Sequence, residues 1–513
     1  MENRKSKINW VYVISLIISI VLTVWAVVLP DNFNVMADTV MAVVTGDFGW
    51  LYMIGVGAFL FFSVWLGFSK YGSIKLGPDD SEPEYSTLSW FAMLFSSGMG
   101  IGLVFWGVAE PLSHYMNPLG AKPGTPEAAQ FAMGKSLLHW CLHPWACFCV
   151  IGLGLAYMQF RKNQPGLISR LFVPLFGEEK INGWLGTLID VLAVFATIAG
   201  VCTSLGLGTM QINAGLSHLF GIPNTKVVQA IIIIVISCLF VSTAVAGIEK
   251  GISVVSNINM VLAVVLMVLC FIIGPTVFEL NIFSEGIGLY LKNLIPDSFA
   301  IGAFENNEWY GSWTIFYWAW WVAWAPFCGS FIARISRGRT IREFVAGVLI
   351  VPAILSFMWF SIFGGMGLNL GTKAAELAAA NKDTACFVVF SEYPLGMILS
   401  GITIILVATF FITSANSATF VLGIFTSEGD LNPSKKNKLI WGVIEVLFAL
   451  VLMLVSANGL NMMQSISIAG AFPFLLVMIV SMFAIVKSLQ KEKIEKRPCG
   501  IEMQKEENPE AEG

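Results

Sequence analysis

Apolar runs about 20 residues long recur from one end of this chain to the other. A run of that length crosses the hydrocarbon core of a bilayer. Inside lipid every backbone N–H and C=O must find its partner within the segment, so the runs must be helices. The pattern predicts about twelve spans, at residues 10–30, 49–68, 87–110, 137–160, 183–211, 226–247, 256–275, 310–334, 343–366, 394–425, 437–457 and 464–487. Only 12% of the 513 residues are charged, against about 25% in a soluble domain, and the mean hydropathy is +0.77. The fold class is all-α integral membrane. The first run is one of many and no small-residue cleavage site follows it, so it reads as a span and not as a signal peptide.

The polar residues set the orientation. Arg4, Lys5 and Lys7 precede span one; Arg161, Lys162 and Arg170 follow span four; Arg334, Arg337, Arg339 and Arg342 follow span eight; Lys435, Lys436 and Lys438 follow span ten. This bias places both termini in the cytoplasm of a multi-pass cell-membrane protein. The stretch 280–296 is amphipathic and reads as an interfacial helix, and 368–388 is too polar to span and is expected to cover the outer surface. No basic groove suited to nucleic acid is present. No metal-spaced Cys/His cluster is found, and Cys141, Cys147, Cys149, Cys202, Cys238, Cys270 and Cys328 are expected to be buried structural thiols. His139 and His143 stand at helical spacing, but no carboxylate accompanies them in the sequence to complete a metal site. Hydrolase and phosphate-binding motifs are lacking, so the chain reads as a transporter and not an enzyme. A channel is disfavoured because no ring of pore-lining charges is evident.

One span stands out. FYWAWWVAW, residues 316–324, holds four tryptophans. On a helix, Tyr317, Trp320, Trp321, Trp324, Phe327, Cys328 and Phe331 share one face, while Trp318 points elsewhere. Interfacial belts place tryptophans at helix ends, and these lie turns inside. Span four adds HWCLHPWACF, residues 139–148, where Trp140, Trp145 and Phe148 fan out about Pro144, which is expected to kink the helix. Indole-rich helices with few charges nearby suit a quaternary ammonium ion. Such a head has no N–H to donate, and π faces can hold it at about 0.5–2 kcal/mol per ring.

Two further stretches suggest a cation site. In FSSGMGIGLVFWG, residues 95–107, Gly98, Gly100 and Gly102 alternate. Gly98 and Gly102 form a helix-packing pair, but three alternating glycines also let a helix unwind and turn its carbonyls toward an ion. In TFFITSANSAT, residues 409–419, Thr413, Ser414 and Ser417 are hydroxyls in an apolar helix. Back-bonding to their own helix is the competing account.

Together these stretches resemble the betaine/carnitine/choline transporter family. The resemblance rests on GMGIG (98–102), HWxLHPW (139–145), TSLGLG (203–208) and WTIFYWAWW through ARISRGRTIRE (313–343), and covers roughly residues 10–490. It implies twelve transmembrane helices with a five-plus-five inverted repeat of spans 3–7 and 8–12, similar to the neurotransmitter-sodium symporters. The implied organisation is a cytoplasmic tail 1–9, two peripheral helices in 10–86, a first repeat 87–275, an interfacial helix and loop 276–309, a second repeat 310–487 and a cytoplasmic tail 488–513. It also implies a homotrimer in contact with membrane lipid. The substrate box is carried onto Trp140, Trp145, Trp320, Trp321 and Trp324, with Phe148, Phe327 and Phe331 beside it and Gly98, Gly100 and Gly102 lining it. Phe148 stands where the family often has tyrosine.

No cofactor is implied beyond Na⁺ as the coupling ion. One sodium site would combine the backbone near Ser96 and Met99 with Phe410, Thr413 and Ser414. A second would use Thr197, but Val201 replaces the hydroxyl expected one turn later. Asn416 stands where family members often carry Asp. In the family an Asp at the position of Gly102 goes with choline, so a neutral residue there points to a zwitterion such as glycine betaine, with carnitine or choline as other candidates. The short tails imply no osmotic sensing. The expected activity is Na⁺-coupled symport of a quaternary-ammonium zwitterion. The alternative is sodium-independent exchange of trimethylammonium compounds such as carnitine and butyrobetaine.

Overall fold

The structure, a computed structural model, describes residues 9–98, 100–246, 249–304, 307–455 and 459–492. The main helices are α1 (Trp10–Val28), α2 (Pro30–Gly46), α3 (Gly49–Phe68), α4 (Thr87–Gly98), α5 (Ile101–Met116), α6 (Pro126–Trp140), α7 (Leu142–Ala156), α8 (Trp184–Phe220) and α9 (Lys226–Ala246). They continue as α10 (Glu249–Ile273), α11 (Thr276–Phe299), α12 (Phe316–Arg334), α13 (Ile341–Asn369), α14 (Thr372–Ala380), α15 (Ala385–Ser391), α16 (Gly396–Phe425), α17 (Lys435–Val455) and α18 (Gly459–Leu489). Among the described residues there is no strand, only an isolated bridge between Lys75 and Thr340.

Eleven helical stretches among the described residues are long and apolar enough to cross a membrane. The chain is a multi-pass membrane protein. Helix ends follow local chemistry. Thr125 caps α6 ahead of Pro126, which needs no N–H partner at the first helical position. Thr340 and Glu343 form a reciprocal capping box at the start of α13. Gly221 closes α8 in the left-handed conformation, φ 67°. At 37 residues, α8 is about 55 Å long, well beyond the hydrocarbon core.

Two expected spans are interrupted. Span three divides into α4 and α5, and Gly100 between them is extended (φ −147°, ψ −146°). Neither half is long enough to cross alone. Span four parts at Cys141 (φ −94°, ψ −113°), between Trp140 and Trp145. Pro144 has no N–H for the Trp140 carbonyl four residues back, so the helix restarts as α7. The amphipathic helix near 280–296 is α11, longer than expected at 24 residues, and 368–388 forms α14 and part of α15. The 17-residue helix α2 had no counterpart in the sequence reading.

Burial sorts the helices. Large apolar side chains are exposed along α1, α9 and α10, as lipid-facing helices require, while α5, α7 and α12 are almost wholly buried. Helix α12 packs chiefly on α7 and also on α8 and α18. The α7–α12 crossing is backbone on backbone. A Cβ at Gly152 would lie 3.2 Å from the Gly329 carbonyl oxygen, and one at Gly329 would lie 3.0 Å from the Gly152 nitrogen. Seven of the cysteines are buried, as expected for six of those named above, but Cys238 is exposed on α9. That position faces outward from the bundle, where an apolar thiol is tolerated by lipid.

Candidate functional site: an aromatic cluster on a buried carboxylate

The indole rings of α6 and α12 meet in the middle of the bundle. Trp140 lies edge-on to Trp321 with centroids 4.9 Å apart and to Trp320 at 6.1 Å. Trp320 and Trp321 stack at 5.0 Å. Phe148 meets Trp321 at 6.2 Å and Trp145 at 5.6 Å. Trp324 joins through Trp320 at 6.3 Å, and Phe327 through Trp324 at 5.5 Å. The eight aromatic residues named from the sequence thus include seven in one contiguous cluster. Phe331 is half-buried and makes no ring contact with it among the described residues. Trp318 points away and stacks on His143 at 5.0 Å.

The break between α4 and α5 abuts this cluster. A Cβ at Gly102 would lie 2.6 Å from Cη2 of Trp320 and 3.0 Å from Cη2 of Trp140. The residue must therefore be glycine for α5 to approach the rings. A Cβ at Gly100 would meet the Ser414 hydroxyl at 3.5 Å, so α16 faces the break. Met99 lies outside the described residues, and only the backbone of Ser96 and Gly98 is described. Thr413 is engaged elsewhere: its hydroxyl points to the carbonyls of Thr409 and Phe410, both at 3.2 Å, and accepts from Asn259 at 3.1 Å. Phe410 is buried. Thr197 donates to the Ala193 carbonyl at 2.8 Å. Asn416 donates to Thr243 at 3.0 Å, and its carbonyl oxygen has no partner among the described residues.

The expectation of few charges beside the tryptophans is corrected by Glu110, one helical stretch above the glycines on α5. Its side chain is wholly buried. One carboxylate oxygen accepts from Trp140 Nε1 at 2.7 Å and from the Tyr317 hydroxyl at 2.5 Å. The other meets His139 Nδ1 at 2.6 Å and His114 Nε2 at 3.2 Å. His139 Nε2 meets the Thr314 hydroxyl at 2.9 Å. The sequence reading also found no carboxylate to accompany His139 and His143. Glu110 does join His139, with His114 as the second imidazole, while His143 bonds Ser298 at 2.8 Å. The ligand atoms of Glu110, His114 and His139 lie within 4.8 Å of one another. Around a zinc ion with bonds near 2.1 Å such atoms would sit about 3.4 Å apart. The 2.6 Å His139–Glu110 separation is instead that of a direct charge-assisted hydrogen bond.

Further indole N–H groups are anchored: Trp321 donates to the His139 carbonyl at 2.9 Å and Trp324 to the Gly200 carbonyl at 3.1 Å. Trp320 Nε1 is buried and has no partner among the described residues. Beyond the cluster, the Lys382 ammonium lies 4.6 Å from the Trp313 centroid. Burial lowers its pKa from the usual lysine value, and the charge of Glu110 acts against that shift. Glu110 was legible as an ionisable residue at the end of an apolar run, which by itself marks a functional position.

A model of the betaine/carnitine/choline family transporters matches residues 10–494. The glycine betaine transporter OpuD of Bacillus subtilis (strain 168) is 48% identical over 95% of this chain and 96% of its own length. The ectoine/hydroxyectoine transporter of Virgibacillus pantothenticus is 41% identical over 95% of this chain and 98% of its own. Glycine betaine transporter 1 of Vibrio parahaemolyticus serotype O3:K6 (strain RIMD 2210633) is 39% identical over 88% and 87%.

Proposed function

The chain belongs to the betaine/carnitine/choline transporter family, and from that premise we propose that it imports glycine betaine across the cell membrane by Na⁺-coupled symport. The observation that carries the substrate class is the contiguous cluster of Trp140, Trp320 and Trp321, deep in the bundle and built on two helices. A trimethylammonium head has no hydrogen to donate, and aromatic faces are the surface that attracts it. The carboxylate of a zwitterion needs donors. The unpartnered Trp320 N–H is one, because a buried donor without an acceptor calls for an explanation. The N-terminus of α5 at Ile101 is another, with no side-chain cap and its positive dipole end.

Sodium is seated, in this proposal, where Ser414 faces Gly100. Backbone oxygens freed at the helix break and a hydroxyl are the hard ligands that Na⁺ takes. Val201 stands where a second site would need a hydroxyl, which favours one ion over two. The proposal places repeats at 87–275 and 310–487, both termini in the cytoplasm, and a homotrimer in the cell membrane.

Two names among the relatives support glycine betaine. Another names ectoine, a cyclic amidinium zwitterion whose N–H groups would need acceptors, so ectoine is the second substrate to test. Labelled glycine betaine uptake into proteoliposomes, with and without an inward Na⁺ gradient, is the test. Concentrative uptake lost when K⁺ replaces Na⁺ is the expected result. Uptake indifferent to Na⁺ but requiring internal unlabelled substrate would favour the exchanger of carnitine-type compounds.

A further inference from the structure

We propose that Glu110 is a specificity-determining residue: its carboxylate, bonded to the edges of Trp140 and Tyr317, makes the aromatic cluster select a formally charged ammonium head over an uncharged group of the same shape. The inference rests on the reading of the cluster as the headgroup site. It adds a residue outside that cluster and a role that ring contacts alone do not supply.

The hydrogen bonds are those that an ionised carboxylate makes. An ionised carboxylate offers about four lone-pair sites, and Glu110 has four neighbours to fill them: Trp140 Nε1, the Tyr317 hydroxyl, His139 Nδ1 and His114 Nε2. Trp140 can only donate. With His139 protonated on Nδ1, its Nε2 accepts from Thr314. His114, protonated on Nε2, keeps a bare Nδ1 that has no partner among the described residues. A second proton on His114 would leave a buried N–H unpaired, which is the costlier arrangement. The tautomers follow from the bonding pattern. Both imidazoles neutral and the carboxylate ionised satisfy each contact, and in the proposed arrangement the cluster carries one negative charge. Among the described residues no lysine or arginine makes an ion pair with Glu110. Lys382 is a cation that acts on it and is held over the Trp313 ring, 4.6 Å from its centroid.

That charge reaches the site through the rings. An indole or phenol that donates its hydrogen to an anion gains electron density on its π face, and it is the face that a cation approaches. Tyr317 also stacks on Trp321 at 6.1 Å and meets Trp140 at 5.6 Å. Glu110 therefore grips two rings of one aromatic network, in a low-dielectric interior where its field is little screened. Helix α5 brings both ends of this arrangement: Gly102 admits the rings, and Glu110 two turns on bonds their edges.

The test separates charge from shape. Glycine betaine and 3,3-dimethylbutanoate share carboxylate and outline and differ in a nitrogen cation against a carbon. Half-maximal inhibition of labelled betaine uptake is measured for each in wild type, Glu110→Gln and Glu110→Asp, on reconstituted full-length protein. The expected result is a wild-type preference for betaine that falls about tenfold or more in Glu110→Gln, through weaker betaine binding and unchanged dimethylbutanoate binding. Glu110→Asp, which keeps the charge, retains most of it. A Glu110→Gln protein that weakens both ligands in proportion, or neither, overturns the proposal and leaves a packing role. If Glu110→Gln does not fold, Trp140→Phe keeps a ring, removes the bond to Glu110 and must lower the same ratio; an unchanged ratio again overturns it. A wild type that does not recognise betaine at all defeats the functional reading itself, which is a different outcome from any of these.

Discussion

Gly102 has no room for a side chain, and this changes what a substitution there does. From sequence, an aspartate at 102 is expected to admit choline by adding a negative charge. In the structure its Cβ would press on Trp320 and Trp140 at 2.6 and 3.0 Å, and the site already has the Glu110 charge behind Trp140. Gly102→Asp should therefore lower betaine uptake at least about tenfold without gaining choline, measured with both labelled substrates. Trp321→Ala removes a ring that touches Trp140, Trp320 and Phe148. It should cost about 1–2 kcal/mol of headgroup attraction and so weaken betaine affinity about five- to thirtyfold at normal expression. Trp324→Ala removes a ring that meets Trp320 and Phe327 among the described residues, and should weaken it less. Equal uptake by wild type and Trp321→Ala would show that the head binds elsewhere. The ring positions were legible because helical spacing alone groups them. The role of Glu110 was not, because three of its four partners come from α6 and α12 and no local spacing connects residues 110, 139 and 317.

At the scale of elements, the break between α4 and α5 was legible from three alternating glycines, since each lacks the side chain that favours continuous helix. The division of span four was legible from Pro144. What spacing could not supply is which hydroxyl of α16 faces the break. Thr413 and Ser414 are neighbours in sequence, but the helix turns them about 100° apart. Ser414 faces Gly100, and Thr413 is held by Asn259 of α10. Ser414→Ala should therefore raise the Na⁺ concentration for half-maximal uptake several-fold, and Thr413→Ala much less. Equal effects, or none, read from uptake against Na⁺ concentration, would remove this seat for the ion.

Across the whole molecule, distant ends of the chain converge on Glu492. It accepts from Tyr157 at 2.7 Å, Lys162 at 2.6 Å and Arg161 at 3.0 and 2.8 Å, and Arg161 also reaches Asp79 at 2.7 Å. The start of the charged tail is thus tied to the end of the α7 segment, which composition alone could not show because the partners lie more than 300 positions away. Burial raises the Glu492 pKa, but hydrogen bonds from Arg161, Lys162 and Tyr157 outweigh it and hold it at about 2. A carboxylate depressed in the folded state stabilises fully above its unfolded value, and the effect is lost as pH falls through the folded one. Glu492→Gln should lower the melting temperature at pH 7. The gap to wild type should persist at pH 5, shrink toward pH 3 and vanish near pH 2. The close crossing of Gly152 and Gly329 has a kinematic meaning of its own. Two helices locked backbone to backbone resist sliding, so under the proposed transport cycle Trp145 and Trp321 are expected to travel as one carriage, with the aromatic cradle conveyed between the two sides of the membrane instead of being pulled open. The moving seams then fall where α5 and α16 meet it, and spin labels across the α7–α12 pair should keep one distance whether or not Na⁺ and betaine are bound.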